Sequence, residues 1–154
     1  MSDASLEFSI ERPDTETAQL LIHQLDADLL ERYPGQWIHG LHSEDIADPE
    51  FIFVVARLAS QPVGCGALRR LAPGLAEVKR MFVVPAFRRR GFSRQILSFL
   101  ELTARRAGYA TLRLETGTRQ AESTGLYRSA GYHSIPPYGE YVGNPYSLCF
   151  EKTL

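Results

Sequence analysis

The stretch AEVKRMFVVPAFRRRGFSRQIL, residues 76–97, contains the strongest signal in this sequence. An apolar segment runs to Val84, Pro85 ends it, a basic turn follows, and a helix begins near Gly91. This order brings several backbone N–H groups and three arginines to one helix N-terminus. The arginines are Arg88, Arg89 and Arg90. Free N–H groups, the positive end of the helix dipole and guanidinium groups together form an anion site, most simply a phosphate site.

Gly91 permits a phosphate to approach closely, because a residue without a Cβ atom leaves the backbone uncovered. The sequence lacks two other phosphate-binding patterns, the Gly-Lys-Ser/Thr of a Walker loop and the GxGxxG of a dinucleotide fold. A solvated basic turn and a nucleic-acid patch remain as alternatives for residues 88–94. The basic cluster is short and the net charge is −1, so we expect neither nucleic acid nor a membrane surface as a partner.

Hydrophobic periodicity predicts strands and helices on both sides of this stretch. The predicted strands cover residues 6–12, 51–58, 63–71, 76–84, 111–116 and 146–151, and the predicted helices cover residues 14–32, 91–107 and 120–130. Residues 37–50 fit a short helix with loops. The second to fourth strands, joined by short turns, predict an antiparallel meander, and strand 76–84 with its following helix predicts a crossover to a parallel neighbour. Glu101 is expected on the exposed face of that helix.

The composition is typical of one soluble domain that spans residues 1–154. Hydrophobic residues make up 44% of the chain and charged residues 23%. The first residues lack the layout of a signal peptide, and no apolar run is long enough to span a bilayer. Cys65 and Cys149 lack metal-binding spacing and lie in apolar segments, which indicates reduced thiols in a cytoplasmic protein. The histidines show no ligand spacing either, so no metal is expected.

Residues 88–93 resemble the acyl-CoA pyrophosphate loop of the GCN5-related N-acetyltransferase (GNAT) superfamily. That pattern is Arg or Gln, two residues, Gly, one residue, and Gly or Ala; Arg88, Gly91 and Ser93 fill it, with serine as the one departure. The segments LETG and GLYRSAGY, residues 114–117 and 125–132, are similar to the last helix and following strand of the same superfamily. The resemblance covers essentially the whole chain. It implies an α/β GNAT fold, with a mixed, mostly antiparallel sheet that contains a splayed parallel strand pair and is flanked by helices.

The resemblance implies acetyl-CoA as the co-substrate. The strand residues Met81, Phe82 and Val83 would pair through their backbones with the amides of the pantetheine arm. The turn and the first helical turn would hold the pyrophosphate. The residues concerned are Arg88, Arg89, Arg90, Gly91, Phe92, Ser93 and Arg94.

Acetyl transfer requires a neutral amine, although an alkyl amine with a pKa of about 10 is mostly protonated at neutral pH. A general base removes this proton, and Glu77 occupies the position of a base glutamate in several GNAT relatives. Tyr127 matches the tyrosine that commonly faces the coenzyme sulfur, where its phenol would protonate the departing thiolate. The alternatives are a solvent-facing Glu77 paired with Lys79 or Arg80, and a Tyr127 that only packs its helix onto the sheet.

The acceptor site is expected in two loops rich in proline, glycine and aromatic residues, at 33–37 and 136–145. Aromatic rings and a carboxylate there would bind the cationic amine of a small molecule or a peptide. The candidate residues are Trp37, Tyr138, Glu140 and Tyr141. The alternative is that these loops cover the sheet edge or form the contact of a homodimer.

These features predict an N-acetyltransferase in which the amine attacks acetyl-CoA directly within a ternary complex. A covalent acyl-cysteine route is not expected, because neither cysteine lies near a group that would activate its thiol. The rival function is a non-catalytic acyl-CoA-binding sensor module that has kept the cofactor site.

Overall fold

A computed structural model describes residues 5–154 of the chain. Its strands are β1 (Leu6–Glu11), β2 (Ile52–Leu58), β3 (Gln61–Ala72), β4 (Leu75–Val83), β5 (Thr111–Gly117), β6 (His133–Ile135) and β7 (Ser147–Thr153). Its α-helices are α1 (Glu16–Arg32), α2 (Ser43–Ala47), α3 (Phe92–Arg106) and α4 (Ala121–Ser129). Short 3₁₀ turns lie at Gly35–Trp37, Pro85–Phe87 and Gly139–Tyr141.

The strands form one mixed sheet in the order β1-β2-β3-β4-β5-β7-β6. Every neighbouring pair is antiparallel except β4 and β5, which are parallel. Parallel neighbours need a crossover connection, and α3 provides it. The predicted fold class, a mixed sheet with one parallel pair flanked by helices, is confirmed. Among the described residues, no helix has the length and apolar character needed to cross a membrane.

Helices cover both faces of the sheet. The apolar side of α3 packs on one face in a core that includes Ile96, Leu100, Leu112 and Phe150. Helix α1 packs on the other face in a second core that includes Leu21, Leu25, Phe53 and Phe82. Both helices contact β3 and β4, and α4 contacts β5.

Glu101 is buried on α3, which corrects the exposed position expected from helical periodicity. The hydroxyl of Tyr132 donates to its carboxylate at 2.8 Å, and the amino group of Lys152 donates at 3.0 Å. These partners lie 31 and 51 residues further along the chain, so a local pattern contains no sign of them.

The two parallel strands separate halfway along their length. Pairing with β5 covers only Leu75–Val78 of β4. Beyond Val78 the register between β3 and β4 shifts, and Arg80 adopts a φ of +57°. Strand β4 therefore contains a bulge at Arg80. A bulge bends its strand and redirects the side chains that follow. The resulting gap between β4 and β5 positions the functional site.

Candidate active site

An open groove of about 1580 Å³ runs along β4 to the N-terminus of α3. Nine of the ten residues predicted to bind the cofactor line it: Met81, Phe82, Val83, Arg88, Arg89, Gly91, Phe92, Ser93 and Arg94. Arg90 is the exception, since its guanidinium carbon lies 5.4 Å from the centre of the Phe87 ring and the residue is not part of the groove wall. The fold therefore brings the strand and the basic turn together as the sequence predicted.

Gly91 precedes the first turn of α3 with a φ of +77°, a conformation that favours glycine. A Cβ atom built at Gly91 would meet nothing within 4 Å, so the space beside the backbone is open. The first N–H groups of a helix have no acceptor within it, and the residue before α3 provides no capping side chain. An uncovered backbone at the positive end of a helix of 15 residues fits a phosphate group.

Two arginines are held beside the groove by their neighbours. Arg88 donates from Nε to the carbonyl oxygen of Val83 at 2.9 Å and lies 3.8 Å from the carboxylate of Asp28 on α1. Arg94 donates to the hydroxyl of Ser129 on α4. These contacts keep two positive charges where a phosphate at Gly91 would lie.

Tyr127 lies on α4 at the inner end of the groove. Its ring is buried, with the ring centres of Tyr132 and Phe150 at 5.8 and 6.4 Å. Burial, and then the nearby charge of Glu115, raises the pKa of Tyr127 above its ordinary value. The phenol therefore keeps its proton at neutral pH.

A second cavity of about 580 Å³ occupies the gap where β4 leaves β5. It shares Met81, Ser123 and Tyr127 with the groove, so the two spaces adjoin. Its other wall contains polar side chains from β4, β5 and the loop before β7. They are Lys79, Arg80, Glu115 and Tyr141. Tyr127 thus stands at the border between the cofactor groove and a polar cavity.

Glu77 is enclosed in the protein, with 1% of its surface exposed, so the solvent-facing alternative is wrong. The hydroxyl of Tyr138 donates to one carboxylate oxygen at 2.5 Å. The side-chain nitrogens of Arg69 and Lys79 lie 3.6 and 3.8 Å from the other oxygen. Glu77 does not line the groove or the cavities beside it, so any proton would have to reach it through a neighbour. Its role as a base stays a prediction.

The carboxylate of Glu140 lies between His39, His42 and the Lys79 side chain of β4. It lies 3.0 Å from His42, 3.6 Å from His39 and 3.6 Å from the amino group of Lys79. Burial opposes its ionisation, but the hydrogen bond from His42 and the charge of Lys79 together lower the pKa of Glu140 below its ordinary value. No partner for these histidines is visible in the sequence, because the loop that supplies Glu140 is distant in the chain.

A third cavity of about 350 Å³ continues from the gap toward the end of α1. It shares Leu29, His39, Glu115 and Gln120 with the second cavity. Much of its remaining wall is aromatic or aliphatic, formed by Tyr33, Trp37, Ile38 and Tyr146. Of the four candidate acceptor residues, Trp37 lines this cavity and Tyr141 lines the second one, whereas Tyr138 and Glu140 line neither.

Glu115 is the functional candidate that the sequence did not single out. Leu112 and Leu114 alternate with it along β5 and enter the core under α3, so the Glu115 side chain lies on the opposite face, in both smaller cavities. The hydroxyl of Ser147 donates to its carboxylate at 2.6 Å. Burial is the main reason that the pKa of Glu115 is raised to about 7. The one available signal was its place in the segment 114–117 quoted for the family resemblance.

No group of three or more His, Cys, Asp and Glu side chains within residues 5–154 is arranged to hold a metal ion.

Comparisons with known proteins agree with this geometry. Residues 22–132 match the model of the acetyltransferase (GNAT) family. A relative named IAA acetyltransferase, from Azospirillum brasilense, is 41% identical over 145 residues, which cover 94% of this chain and 95% of the relative. A solved structure from Klebsiella pneumoniae, named as a candidate acyl-CoA N-acyltransferase, has a TM-score of 0.83, 29% identity and 99% coverage of both chains.

A further solved structure shows the same fold with a bound coenzyme. The PaiA N-acetyltransferase of Thermoplasma acidophilum, in complex with coenzyme A, has a TM-score of 0.74 at 18% identity. The similarity covers 97% of this chain and 99% of that one. The family match, the relative from Azospirillum and the shared fold establish that this chain belongs to the GNAT family of acetyltransferases.

Proposed function

We propose that the protein transfers the acetyl group of acetyl-CoA to a primary amine of a small molecule or peptide, by direct attack of the amine in a ternary complex. The observation that carries this proposal is the continuity of the groove with the gap between β4 and β5, with Tyr127 at their border. A thioester lying along the groove would present its carbonyl carbon at that border, and an amine would arrive there from the smaller cavities.

Backbone groups and arginines support acetyl-CoA as the co-substrate. Beyond Val78, β4 has no ladder with β5, so the backbone groups of Met81–Val83 on that side, apart from the Val83 carbonyl that accepts from Arg88, are available to the pantetheine amides. The uncovered backbone at Gly91, with Arg88 and Arg94 beside it, suits the pyrophosphate. The coenzyme A complex of the Thermoplasma protein supports the same assignment.

The reaction needs three proton transfers. A base first removes the proton of the ammonium group, and the nitrogen lone pair then bonds to the thioester carbon while the carbonyl electrons move to oxygen. When this tetrahedral intermediate collapses, the carbon–sulfur bond breaks and its electron pair leaves with the sulfur. The sulfur takes a proton from Tyr127, and the second amine proton restores the phenol, so that an amide and a thiol are the products.

Glu77 is the base that the family resemblance implies. Because Glu77 is enclosed, transfer to it would be relayed through the hydroxyl of Tyr138 or the amino group of Lys79. The acidic limb of the pH–rate profile would then disappear in Glu77→Gln.

The two cysteines support direct attack over an acyl-cysteine route. Burial raises the pKa of Cys65 to about 12 and that of Cys149 to about 11. Thiols with such values contain almost no thiolate at neutral pH, and the thiolate is the reactive form.

Two measurements test the proposal. Calorimetric titration with acetyl-CoA should show binding, and incubation with a panel of primary amines should release coenzyme A thiol. Wild-type protein that does not bind millimolar acetyl-CoA would refute the proposal. Binding without turnover of any amine would favour the non-catalytic sensor module. The alternative role of the two loops as a homodimer contact is checked separately by sedimentation.

A further inference from the structure

We propose that the acceptor binds in the third cavity as an amine carried by a flat apolar group, and that Glu115 holds this amine and takes its proton. This inference rests on the proposed acetyltransferase function and specifies its substrate class and its base. Its basis is the wall that the two smaller cavities share.

Glu115 lies at the junction of the acceptor path. Its side chain is partly exposed and lines both the gap beside Tyr127 and the cavity beside Trp37. An amine in the third cavity that points toward the cofactor groove would pass this carboxylate. Glu77 has no such access because it is covered by Tyr138, so Glu115 can act directly where Glu77 would need a relay.

The walls of the third cavity offer few other free polar groups. The hydroxyl of Tyr33 donates to Gln120 at 3.1 Å and accepts from the backbone N–H of Arg119 at 3.0 Å. The side chain of Asn144 donates to the Trp37 carbonyl at 3.2 Å and accepts from the Tyr146 N–H at 2.9 Å. A ligand with many polar groups would compete with these bonds. The cavity therefore suits an apolar body with one amine.

Aromatic rings give the cavity its shape. The rings of Tyr33 and Tyr146 meet edge to face with centres 5.6 Å apart, and Trp37 lies on the same wall. The space that these rings line, about 350 Å³ including the part open to solvent, is where one ring with a short amine arm would lie against them. Flat rings gain from edge and face contacts with aromatic walls, which gives such a ligand an advantage over a polar chain of equal length.

The groups around Glu115 shift its pKa into the range that suits a base near neutral pH. Burial favours its neutral form most, the hydrogen bond from Ser147 favours the carboxylate, and of the nearby charges Glu77 and Glu140 oppose ionisation while Lys79 supports it. The uncharged groups that face it are the phenols of Tyr33, Tyr127 and Tyr141 and the thiol of Cys149. His39 lies on the same cavity wall. The proton leaves the ammonium nitrogen for a carboxylate oxygen of Glu115, and the lone pair left on nitrogen attacks the thioester.

The pH dependence of turnover tests Glu115. In wild-type protein, kcat should rise with pH through an acidic limb, and Glu115→Gln should lose the limb with a fall in kcat of about 10²- to 10⁴-fold. Ser147→Ala should move the limb to higher pH, because its hydroxyl stabilises the carboxylate. Glu50→Gln, an exposed change that faces Arg70, is the matched control and should behave as wild type. A Glu115→Gln variant that keeps the limb and the rate, with the limb lost instead in Glu77→Gln, would overturn the assignment.

A comparison of turnover between 2-phenylethylamine and putrescine tests the substrate class. We expect kcat/KM to be at least about tenfold higher for 2-phenylethylamine, and Trp37→Ala to shrink this ratio while Trp37→Phe retains it. Trp37 is the sole tryptophan of the chain, so its fluorescence should respond to 2-phenylethylamine and not to putrescine. Equal turnover of both amines with no fluorescence change would refute the inference and leave the acetyltransferase proposal intact. Absence of thiol release with every amine, despite acetyl-CoA binding, would refute both.

Discussion

Tyr127 combines two properties that a proton donor to sulfur needs. Its phenol holds a proton at neutral pH, because burial raises its pKa, and it borders both the cofactor groove and the cavity between β4 and β5. The alternative, that Tyr127 only packs α4 onto the sheet, accounts for the contacts with Tyr132 and Phe150 but not for its position at this border.

Replacing Tyr127 by Phe distinguishes these roles. The change removes one hydroxyl and keeps the ring contacts, so kcat should fall by about tenfold or more while the Kd for acetyl-CoA changes little. Steady-state kinetics and calorimetry on the same preparation measure both quantities. A variant with unchanged kcat and lowered stability would show that the tyrosine only packs.

Glu115 should weaken the fold at high pH, which is measurable without any substrate. Its pKa is raised from 4.5 to about 7, so its contribution to stability is complete below about pH 4.5 and is lost as the pH rises through about 7. At 1.36 kcal/mol per pKa unit the cost of the buried carboxylate is about 3 kcal/mol.

Glu115→Gln should therefore raise the free energy of unfolding by about 1–3 kcal/mol at about pH 8.5 and change it little at about pH 4.5. Urea denaturation at the two pH values measures the difference, with Glu50→Gln as the matched exposed control. A Gln variant less stable than wild type at high pH would contradict the raised pKa.

The junction of α1 with β5 depends on Gly117. A Cβ atom at this position would lie 1.8 Å from the hydroxyl oxygen of Tyr33 and 2.3 Å from the adjacent ring carbon. The ring of Tyr33 is buried and its hydroxyl is bonded on both sides, so it cannot move aside freely. This close approach builds one wall of the third cavity.

Gly117→Ala should lower the free energy of unfolding by about 1–3 kcal/mol, as expected for overpacking. It should also raise the KM for the acceptor by displacing Tyr33. Gly125→Ala is the control, since a Cβ atom in this helical position meets nothing within 4 Å and should leave stability equal or higher. Chemical denaturation measures the stability of both variants. Equal stability of the two would argue against the close contact between residue 117 and Tyr33.

Substitutions at the two ends of α3 test the phosphate site. Gly91 and Gly108 lie at opposite ends of the helix with φ values of +77° and +92°, and in both places a Cβ atom would meet open space. Valine at either position should strain the backbone by a similar amount. Only Gly91→Val should weaken acetyl-CoA binding, by about tenfold or more, because only Gly91 borders the groove. Calorimetry that finds equal losses in the two variants would refute the phosphate site.

The whole molecule is expected to unfold as one domain, since a continuous seven-stranded sheet connects all of its elements. A ligand at about 100 times its Kd stabilises the folded state by about 2.7 kcal/mol. For a chain of this size acetyl-CoA should then raise Tm by about 5–10 °C in a single transition. Scanning calorimetry with and without acetyl-CoA measures this shift. Two separate transitions would argue against one domain, and a full shift in Gly91→Val would argue against the proposed cofactor groove.

The sequence by itself determined the elements and the cofactor loop, because periodicity, proline and glycine act over a few residues. The strand that ends at Pro85, the turn and the helix that begins after Gly91 are therefore found where the pattern predicted them. The pairing of β4 with β5 followed from the need for a crossover between parallel strands.

The tertiary structure alone decided the environment of each carboxylate. Glu77 and Glu115 both stand in strands with alternating apolar neighbours, and nothing local separates an enclosed glutamate from one that lines a cavity. The bulge at Arg80, the cover by Tyr138 and the approach of Tyr33 to Gly117 place Glu77 under the loop and Glu115 at the gap. Burial and charge around a group depend on residues distant in the chain, and for that reason the pKa of Glu115 and the aromatic cavity appear only once the chain is folded.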